Sequence, residues 1–243
     1  MKALILNSGI GKRMEYLTQD KPKCLVKLNE KETILSRQLR LLEKQKIQDI
    51  VITTGPYQDL LIEYVGTNFP NLNVEFIFNP SYASTNYIYS MYLAKDKLRD
   101  DILLLHGDMV FDEKVLSDLL NDSEQNLVLM DRDADVPEKD FKGKIMNGIV
   151  SEIGVNLFGE NCFTLMPVYK ISKVRFIKWL DEIGKFVLNK QVTVYAENAF
   201  NKISETIELK PCYYSGILCM EVDTPEDLAL AKKWVAEGIN LSG

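Results

Sequence analysis

Lys2-Ala3-Leu4-Ile5-Leu6-Asn7-Ser8-Gly9-Ile10-Gly11-Lys12-Arg13-Met14 is an apolar run of strand length that breaks at once into a small, glycine-bearing, cationic loop. Buried as a strand, the run delivers that loop to the edge of a sheet. Gly9 and Gly11 let the backbone come close to a ligand and aim N–H groups at oxygen anions. Leu17-Thr18-Gln19-Asp20-Lys21-Pro22-Lys23-Cys24-Leu25 follows. Lys12, Arg13 and Lys23 concentrate positive charge in a chain whose formal net charge is −6. Charge placed against the global balance points to an anionic ligand, and a polyphosphate suits such a loop. Two familiar phosphate patterns are missed. The P-loop needs glycine where Leu6 stands and Ser or Thr where Arg13 stands, and the dinucleotide fingerprint needs its third glycine at Met14.

Outward from this stretch, strand-like and helix-like segments alternate. Strands are predicted over residues 49–54, 74–78, 102–105 and 127–130, and helices over 33–46, 57–68, 86–98 and 113–120. Leu35, Leu39 and Leu42 show the three- and four-residue spacing of a buried helical face. Such alternation predicts right-handed crossovers and a sheet covered on both faces. Near-continuous Val, Ile and Leu in the strands agrees with burial on both sides. The expected fold class is α/β, a Rossmann-like three-layer sandwich with a mostly parallel, mixed central sheet in one domain. The pattern changes after Asp131. Residues 132–143 are charged and irregular and read as a surface loop or insertion, part of a substrate-side lid over 131–205. Further strands are expected at 148–155, 163–169 and 217–222, with an amphipathic helix at 174–188. Thr224-Pro225-Glu226-Asp227 opens a last helix with an N-cap, a first-turn proline and acids.

At 243 residues, 46% hydrophobic and 26% charged, the chain is an ordinary globular protein with room for a sizeable core. Its acidic balance excludes a general nucleic-acid-binding face but not a local basic pocket. Cys24, Cys162, Cys212 and Cys219 are scattered without zinc spacing, as reduced thiols of a cytoplasmic protein would be. With no signal-peptide pattern and no long apolar span, a cytoplasmic, membrane-free protein is expected.

In an open parallel sheet, ligands bind beyond the carboxyl ends of the strands. That rule selects residues 7–13, 55–57 and 106–108, and Asp223. Asp108 ends an apolar run, where an unpaired acid is costly and a divalent ion would resolve the cost. Its other reading, a cap for the 113–120 helix, is better filled by Asp112. Asp223 reads either as a turn residue or as a second metal ligand beside Asp108. His106, the single histidine, lacks the partners of a Ser–His or Cys–His device and reads as packing. A phosphate attacking another phosphorus is already anionic and needs no general base. Tyr89 and Tyr92 read as core. Tyr82 and Tyr87, with Asn86, can wall a pocket for a substrate amine through cation–π contact, and Glu197 and Asn198 can pair with the same amine. The stretch 138–144 reads first as a solvated loop, from which Lys142 or Lys144 can reach a substrate phosphate.

Leu6, Gly9, Gly11, Arg13, Leu17-Thr18 and Pro22-Lys23-Cys24-Leu25 together resemble the nucleotidyltransferase superfamily that activates sugars and small alcohol phosphates. Within it the chain is most similar to bacterial CTP:phosphocholine and 2-aminoethylphosphonate cytidylyltransferases. Asn79-Pro80-Ser81-Tyr82-Ala83, with Asn86 and Tyr89-Ser90-Met91-Tyr92-Leu93, resembles their substrate-side segment. Glu221-Val222-Asp223-Thr224-Pro225-Glu226-Asp227-Leu228 resembles their C-terminal metal segment. The resemblance implies CMP transfer from CTP to a small phosphate or phosphonate, with Mg²⁺ on Asp108 and Asp223 and with Lys23 and Arg13 as catalytic cations. The implied nucleotide set is Leu6, Asn7, Ser8, Gly9, Gly11, Lys12, Gly55, Tyr57, Ser84 and Thr85. The implied substrate set is Asn86, Tyr87, Glu197, Asn198 and Lys142. Two departures stand out. Asn7-Ser8 replaces a common Ala-Ala, and His106 replaces an acid found in several members. Phosphoglutamine cytidylyltransferase, sugar-1-phosphate nucleotidyltransferase and a nucleotide-sensing module without turnover are the alternatives. Assembly as a homodimer is left open.

Overall fold

β1 (Lys2–Asn7) runs through the middle of the molecule, buried from Ala3 onward. The coordinates, a computed structural model, describe residues 1–133 and 138–237. β2 (Asp49–Thr54) and β4 (Ile102–His106) flank β1 in parallel, and β3 (Asn73–Phe78) extends β2 in parallel. Helices α1 (Ile34–Lys44), α2 (Gln58–Asn68) and α3 (Tyr87–Ala94) make the crossovers. α1 starts where Thr33 and Ser36 cap each other: the Ser36 N–H donates to Thr33 Oγ1 at 3.1 Å and the Thr33 N–H to Ser36 Oγ at 2.8 Å.

Beyond β4 the sheet becomes mixed. β6 (Leu127–Asp131) and β10 (Lys210–Tyr214) are parallel to each other, and β9 (Cys162–Ile171) lies antiparallel between β4 and β6. β7 (Lys142–Met146) and β8 (Ile149–Gly154) form a hairpin whose β7 edge pairs with β9. Among the described residues the sheet has nine strands, in the order β10-β6-β9-β4-β1-β2-β3 with the hairpin to one side. β5 (Met109–Phe111) and β11 (Cys219–Glu221) stand apart as a two-stranded antiparallel ribbon. Helices α4 (Glu113–Asn121), α5 (Lys173–Leu188), α6 (Ala196–Phe200), α7 (Ser204–Ile207) and α8 (Pro225–Glu237) complete the described chain.

Successive β1 side chains go to opposite faces. Ala3 and Ile5 join Leu35, Leu39 and Leu42 of α1 on one side, and Leu4 joins Met91 of α3 and Trp179 of α5 on the other. Each buried aliphatic side chain contributes about 1.5–3 kcal/mol. A third cluster of Met14, Val26, Val110, Leu218, Val222 and Leu228 fastens the loop after β1 to the β5–β11 ribbon and α8. No helix among the described residues is long and apolar enough to cross a membrane.

Two expectations need correction, and one strand lies where none was expected. The stretch read as irregular ends in β7, whose two lysines and glycine hide a strand that buries Lys142. β10 lies in a stretch for which no element is expected; it is the sheet's outermost strand, where Pro211 is tolerated. The strand expected over 217–222 shortens to β11 and leaves the main sheet to pair with β5. Asp223 therefore reaches the site from the ribbon, not from the sheet edge.

Candidate active site

Gly11 adopts a left-handed conformation (φ 72°), and a Cβ there would lie 3.2 Å from the Lys23 Cβ and 3.3 Å from Thr18 Cγ2. Only glycine lets the loop lie this close to the returning chain without strain. Thr18 Oγ1 fixes the contact by donating to the Gly11 carbonyl at 3.0 Å. Pro22 then holds an extended conformation before a short 3₁₀ turn, Lys23–Leu25, whose Cys24 and Leu25 are buried. The Leu25 and Val26 N–H groups close that turn on the carbonyls of Pro22 and Lys23. Lys23 is thereby held on a rigid support beneath the loop.

Asp108 sits between β4 and β5. Gly107 crosses the end of β1 so closely that a Cβ would meet the Leu6 carbonyl oxygen at 2.7 Å. Gly107 donates its N–H to the same oxygen at 3.1 Å. From α1, the buried Gln38 Nε2 donates to the carbonyls of both His106 and Met109 at 2.9 Å. The turn is clamped from two sides. Across the ribbon, the Val222 N–H donates to the Asp108 carbonyl at 3.0 Å. Asp227 accepts from the N–H groups of Asp223 and Thr224 at 3.0 and 2.8 Å, which fixes Asp223 at the head of α8.

The two acids meet on Lys23. Its Nζ lies 2.6 Å from Asp108 Oδ2 and 2.7 Å from Asp223 Oδ1, while Arg13 Nη2 lies 2.8 Å from Asp223 Oδ2. Burial works to lower the Lys23 pKa, but the two carboxylates outweigh it and hold it above its ordinary value. Burial opposes ionisation of Asp108, yet Lys23 and His106 hold its carboxyl below the usual range. Glu221 goes the other way, pushed up by burial and by Asp108 and Asp223. Burial disfavours the His106 imidazolium, but Glu221, Glu197 and Asp108 raise its pKa above the ordinary value. Even with Lys23 and Arg13 in place, the floor of the site favours added positive charge.

These groups line a cavity of about 430 Å³. Its lining includes Leu6, Asn7, Ser8, Gly9, Gly11, Lys12, Arg13 and Lys23 of the N-terminal segment, Thr85, Asn86 and Tyr87 at the head of α3, and Asp108 and Asp223. Asn7 Nδ2, Ser8 Oγ, His106 Nε2 and Asp108 Oδ1 are buried with no hydrogen-bond partner among the described residues. Buried polar atoms are rarely left without a partner, so ordered water or a ligand is expected to meet them.

Other expected residues sit elsewhere. Gly55 packs behind the loop, against the Ser8 carbonyl. Tyr57 starts α2 in a left-handed conformation and its hydroxyl donates to the Gln19 carbonyl at 2.5 Å. Ser84 is exposed outside the cavity. Asn198 is exposed as well, its Oδ1 accepting from the Tyr195 N–H at 3.0 Å. Glu197 is buried behind the cavity wall and accepts from the hydroxyls of Tyr87 and Tyr169. Lys142 is fully buried; it donates to the carbonyls of Glu138 and Val155 and lies over the Phe158 ring, so it does not line the cavity. Lys139 and Asp140 stand there instead. Sequence reading also passed over Phe141, Tyr195 and Glu221, which line the cavity. His106 is packed edge-on to Tyr87, with centroids 4.7 Å apart, as the packing reading expects, but it also borders the cavity. The signal for Glu221 was present in its place two residues before Asp223.

A loop with spare donors, set over two acids that share a lysine, is a place to hold and cleave a nucleoside triphosphate. The fold and this arrangement define the nucleotidyltransferase class. The profile of the MobA-like NTP transferase domain matches residues 3–205, and the chain belongs to that family. A CTP:phosphoglutamine cytidylyltransferase of Campylobacter jejuni is 25% identical, over 92% of this chain and 93% of that enzyme. A choline-phosphate cytidylyltransferase of Streptococcus pneumoniae is 33% identical over 49% of this chain and 50% of that enzyme. The solved structure of a CTP:phosphocholine cytidylyltransferase from Streptococcus pneumoniae shares the fold, with a TM-score of 0.76, 20% identity and coverage of 96% of this chain and 98% of that one.

Proposed function

We propose that this protein transfers CMP from CTP to a small phosphorylated or phosphonylated substrate bearing an amine, with release of pyrophosphate. The observation that carries the reading is the Lys23 ammonium held between Asp108 and Asp223 under a loop with unsatisfied buried donors. Relatives that act on phosphoglutamine and phosphocholine support the cytidylyl and acceptor assignments.

The N–H groups of the loop and the Arg13 guanidinium bind the triphosphate. Lys23 neutralises the α-phosphate as an acceptor oxygen attacks its phosphorus and the bond to pyrophosphate breaks. The acceptor is already anionic, so no side chain has to take its proton. Catalysis is then alignment and preorganised charge. Asp108 and Asp223, with Asp108 Oδ1 to spare, suit a hard divalent cation such as Mg²⁺. Held by these two carboxylates, such a cation would supply positive charge against the phosphate oxygens. On the acceptor side, Tyr87, Tyr195 and Phe141 make a contiguous aromatic wall, with centroids 5.9 and 4.9 Å apart. Such a wall suits an ammonium group. Glu197 adds negative charge from behind Tyr87, and Lys139 takes the phosphate-facing role expected of Lys142.

Pyrophosphate release tests the reading, with each nucleoside triphosphate against phosphocholine, 2-aminoethylphosphonate, phosphoglutamine and glucose 1-phosphate. CTP-dependent release with one of the first three supports it. Release only with glucose 1-phosphate makes the protein a sugar-phosphate nucleotidyltransferase, and tight CTP binding without release makes it a sensor.

A further inference from the structure

We propose that Lys142 is a positioning residue: its buried ammonium clasps the loop of residues 138–141 to the end of β8, and so holds Lys139, Asp140 and Phe141 at the cavity. That these three face the acceptor rests on the function proposed above; the clasp does not. β7 opens at Lys142, and the three residues before it line the cavity, as does Val155 just past the end of β8. Lys142 itself is not among the lining residues. Its side chain is fully buried, with Nζ 4.6 Å from the centre of the Phe158 ring. That Nζ donates to the Glu138 carbonyl at 3.2 Å and to the Val155 carbonyl. The first bond ties the start of the loop to the residue that follows its end. The second ties the loop to another stretch of cavity lining.

The support under the clasp is the sheet. Lys142 pairs with Gly154 of β8 and with Thr164 of β9, and the Phe141 carbonyl accepts from the Leu165 N–H at 2.8 Å. Lys139 is exposed and Asp140 half-buried, so the path of the loop sets their places more than packing does. Taking an ammonium out of water is costly. Burial lowers the Lys142 pKa below its ordinary value, although Asp140 and Glu138 act to raise it. An apolar side chain of the same length would fill the space without that cost. It would lack the two bonds to the carbonyls, and bonds from a charged donor are the strong kind. Without them the loop shifts, and a shift of about 1 Å in groups that position a substrate can cost as much as about 100-fold.

Two measurements on the full chain test it. Hydrogen–deuterium exchange on the nucleotide-free protein reads the clasp. Lys142→Met keeps the length of the side chain and removes the ammonium. Exchange over residues 138–141 should then speed up about fivefold or more, while exchange over residues 7–13 keeps the wild-type rate. Steady-state kinetics, with the acceptor that supports pyrophosphate release, read the consequence. KM for that acceptor should rise about tenfold or more, and KM for CTP should stay within about twofold. Lys142→Gln keeps an N–H donor without the charge. It should fall between wild type and Lys142→Met on both readouts, and it carries the same test if the methionine variant does not fold. Unchanged exchange over 138–141 would overturn the clasp, even with a raised acceptor KM, because Lys142 would then act on the acceptor directly. A KM for CTP that rises as much as that for the acceptor would also overturn the proposal, as the mark of a general loss of structure. If the wild type releases no pyrophosphate with any acceptor, the function proposed above fails and exchange alone decides the clasp.

Discussion

Lys23→Met removes the ammonium and keeps the stem that packs beside Gly11. At an effective dielectric constant of about 20, each of its two carboxylate contacts is worth about 6 kcal/mol of Coulomb attraction. Desolvation of the three ions, several kcal/mol apiece, offsets most of this. The net cost of breaking a buried pair is about 3–5 kcal/mol. The three side chains are only 16–19% exposed, and Arg13 remains on Asp223, so the lower end, about 3 kcal/mol, applies. For a chain of this size that lowers Tm by about 6–12 °C. Added Mg²⁺ should then raise Tm more in the variant than in the wild type, because the two acids are left without their lysine. Turnover should fall about 100-fold or more, as when one preorganised charge-stabilising group is lost. Thermal melts with and without Mg²⁺, beside a pyrophosphate-release assay, measure both effects. A melt within about 2 °C of wild type, or near-normal turnover, would refute the reasoning.

Gln38→Leu strips the donors from two buried carbonyls and should cost about 2–4 kcal/mol in chemical denaturation; because those carbonyls flank Asp108, kcat should fall while KM for the triphosphate changes little. Gly107→Ala drives a Cβ into the Asn7 side chain first and then against the Leu6 carbonyl, and a loss of about 1–3 kcal/mol is expected from the overpacking, read from the denaturation midpoint. Asp140 has its carboxyl pushed up by burial and by Asp223 and Asp227. Ionising it therefore costs the fold stability above its raised pKa and costs nothing below the unfolded value of about 3.9. Asp140→Asn should be more stable than wild type at pH 7, with the gain vanishing by about pH 3 in a melting series. Asp108 has the opposite sign: its lowered pKa gives stability above about pH 4 that is lost as pH falls further, and Asp108→Asn should flatten that acid limb.

The parallel half of the fold was legible because its strands are buried on both faces and its helices carry clear periodicity. The Gly11, Arg13 and Lys23 pattern was legible because glycine and cations there serve no ordinary strand-to-helix turn. What stayed hidden depends on contacts distant in sequence. Lys142 looks like a solvated lysine until β7 pairs with β9 and turns its side chain inward. Glu197 looks like an amine-binding acid until two tyrosine hydroxyls enclose it. Gln38 gave no signal, since only the fold brings α1 under the turn after β4.

The acids that share Lys23 both hang on the two-stranded ribbon, one just before β5 and one just after β11. All nine strands of the main sheet are finished by Tyr214. During synthesis the strands of the main sheet can therefore emerge while the reaction centre still lacks an acid, and that acid arrives only with β11, the second strand of the ribbon. Proteolysis behind Tyr214 would therefore remove an acid from the reaction centre and, with Leu218, Val222 and Leu228, the apolar cover that fastens the loop after β1.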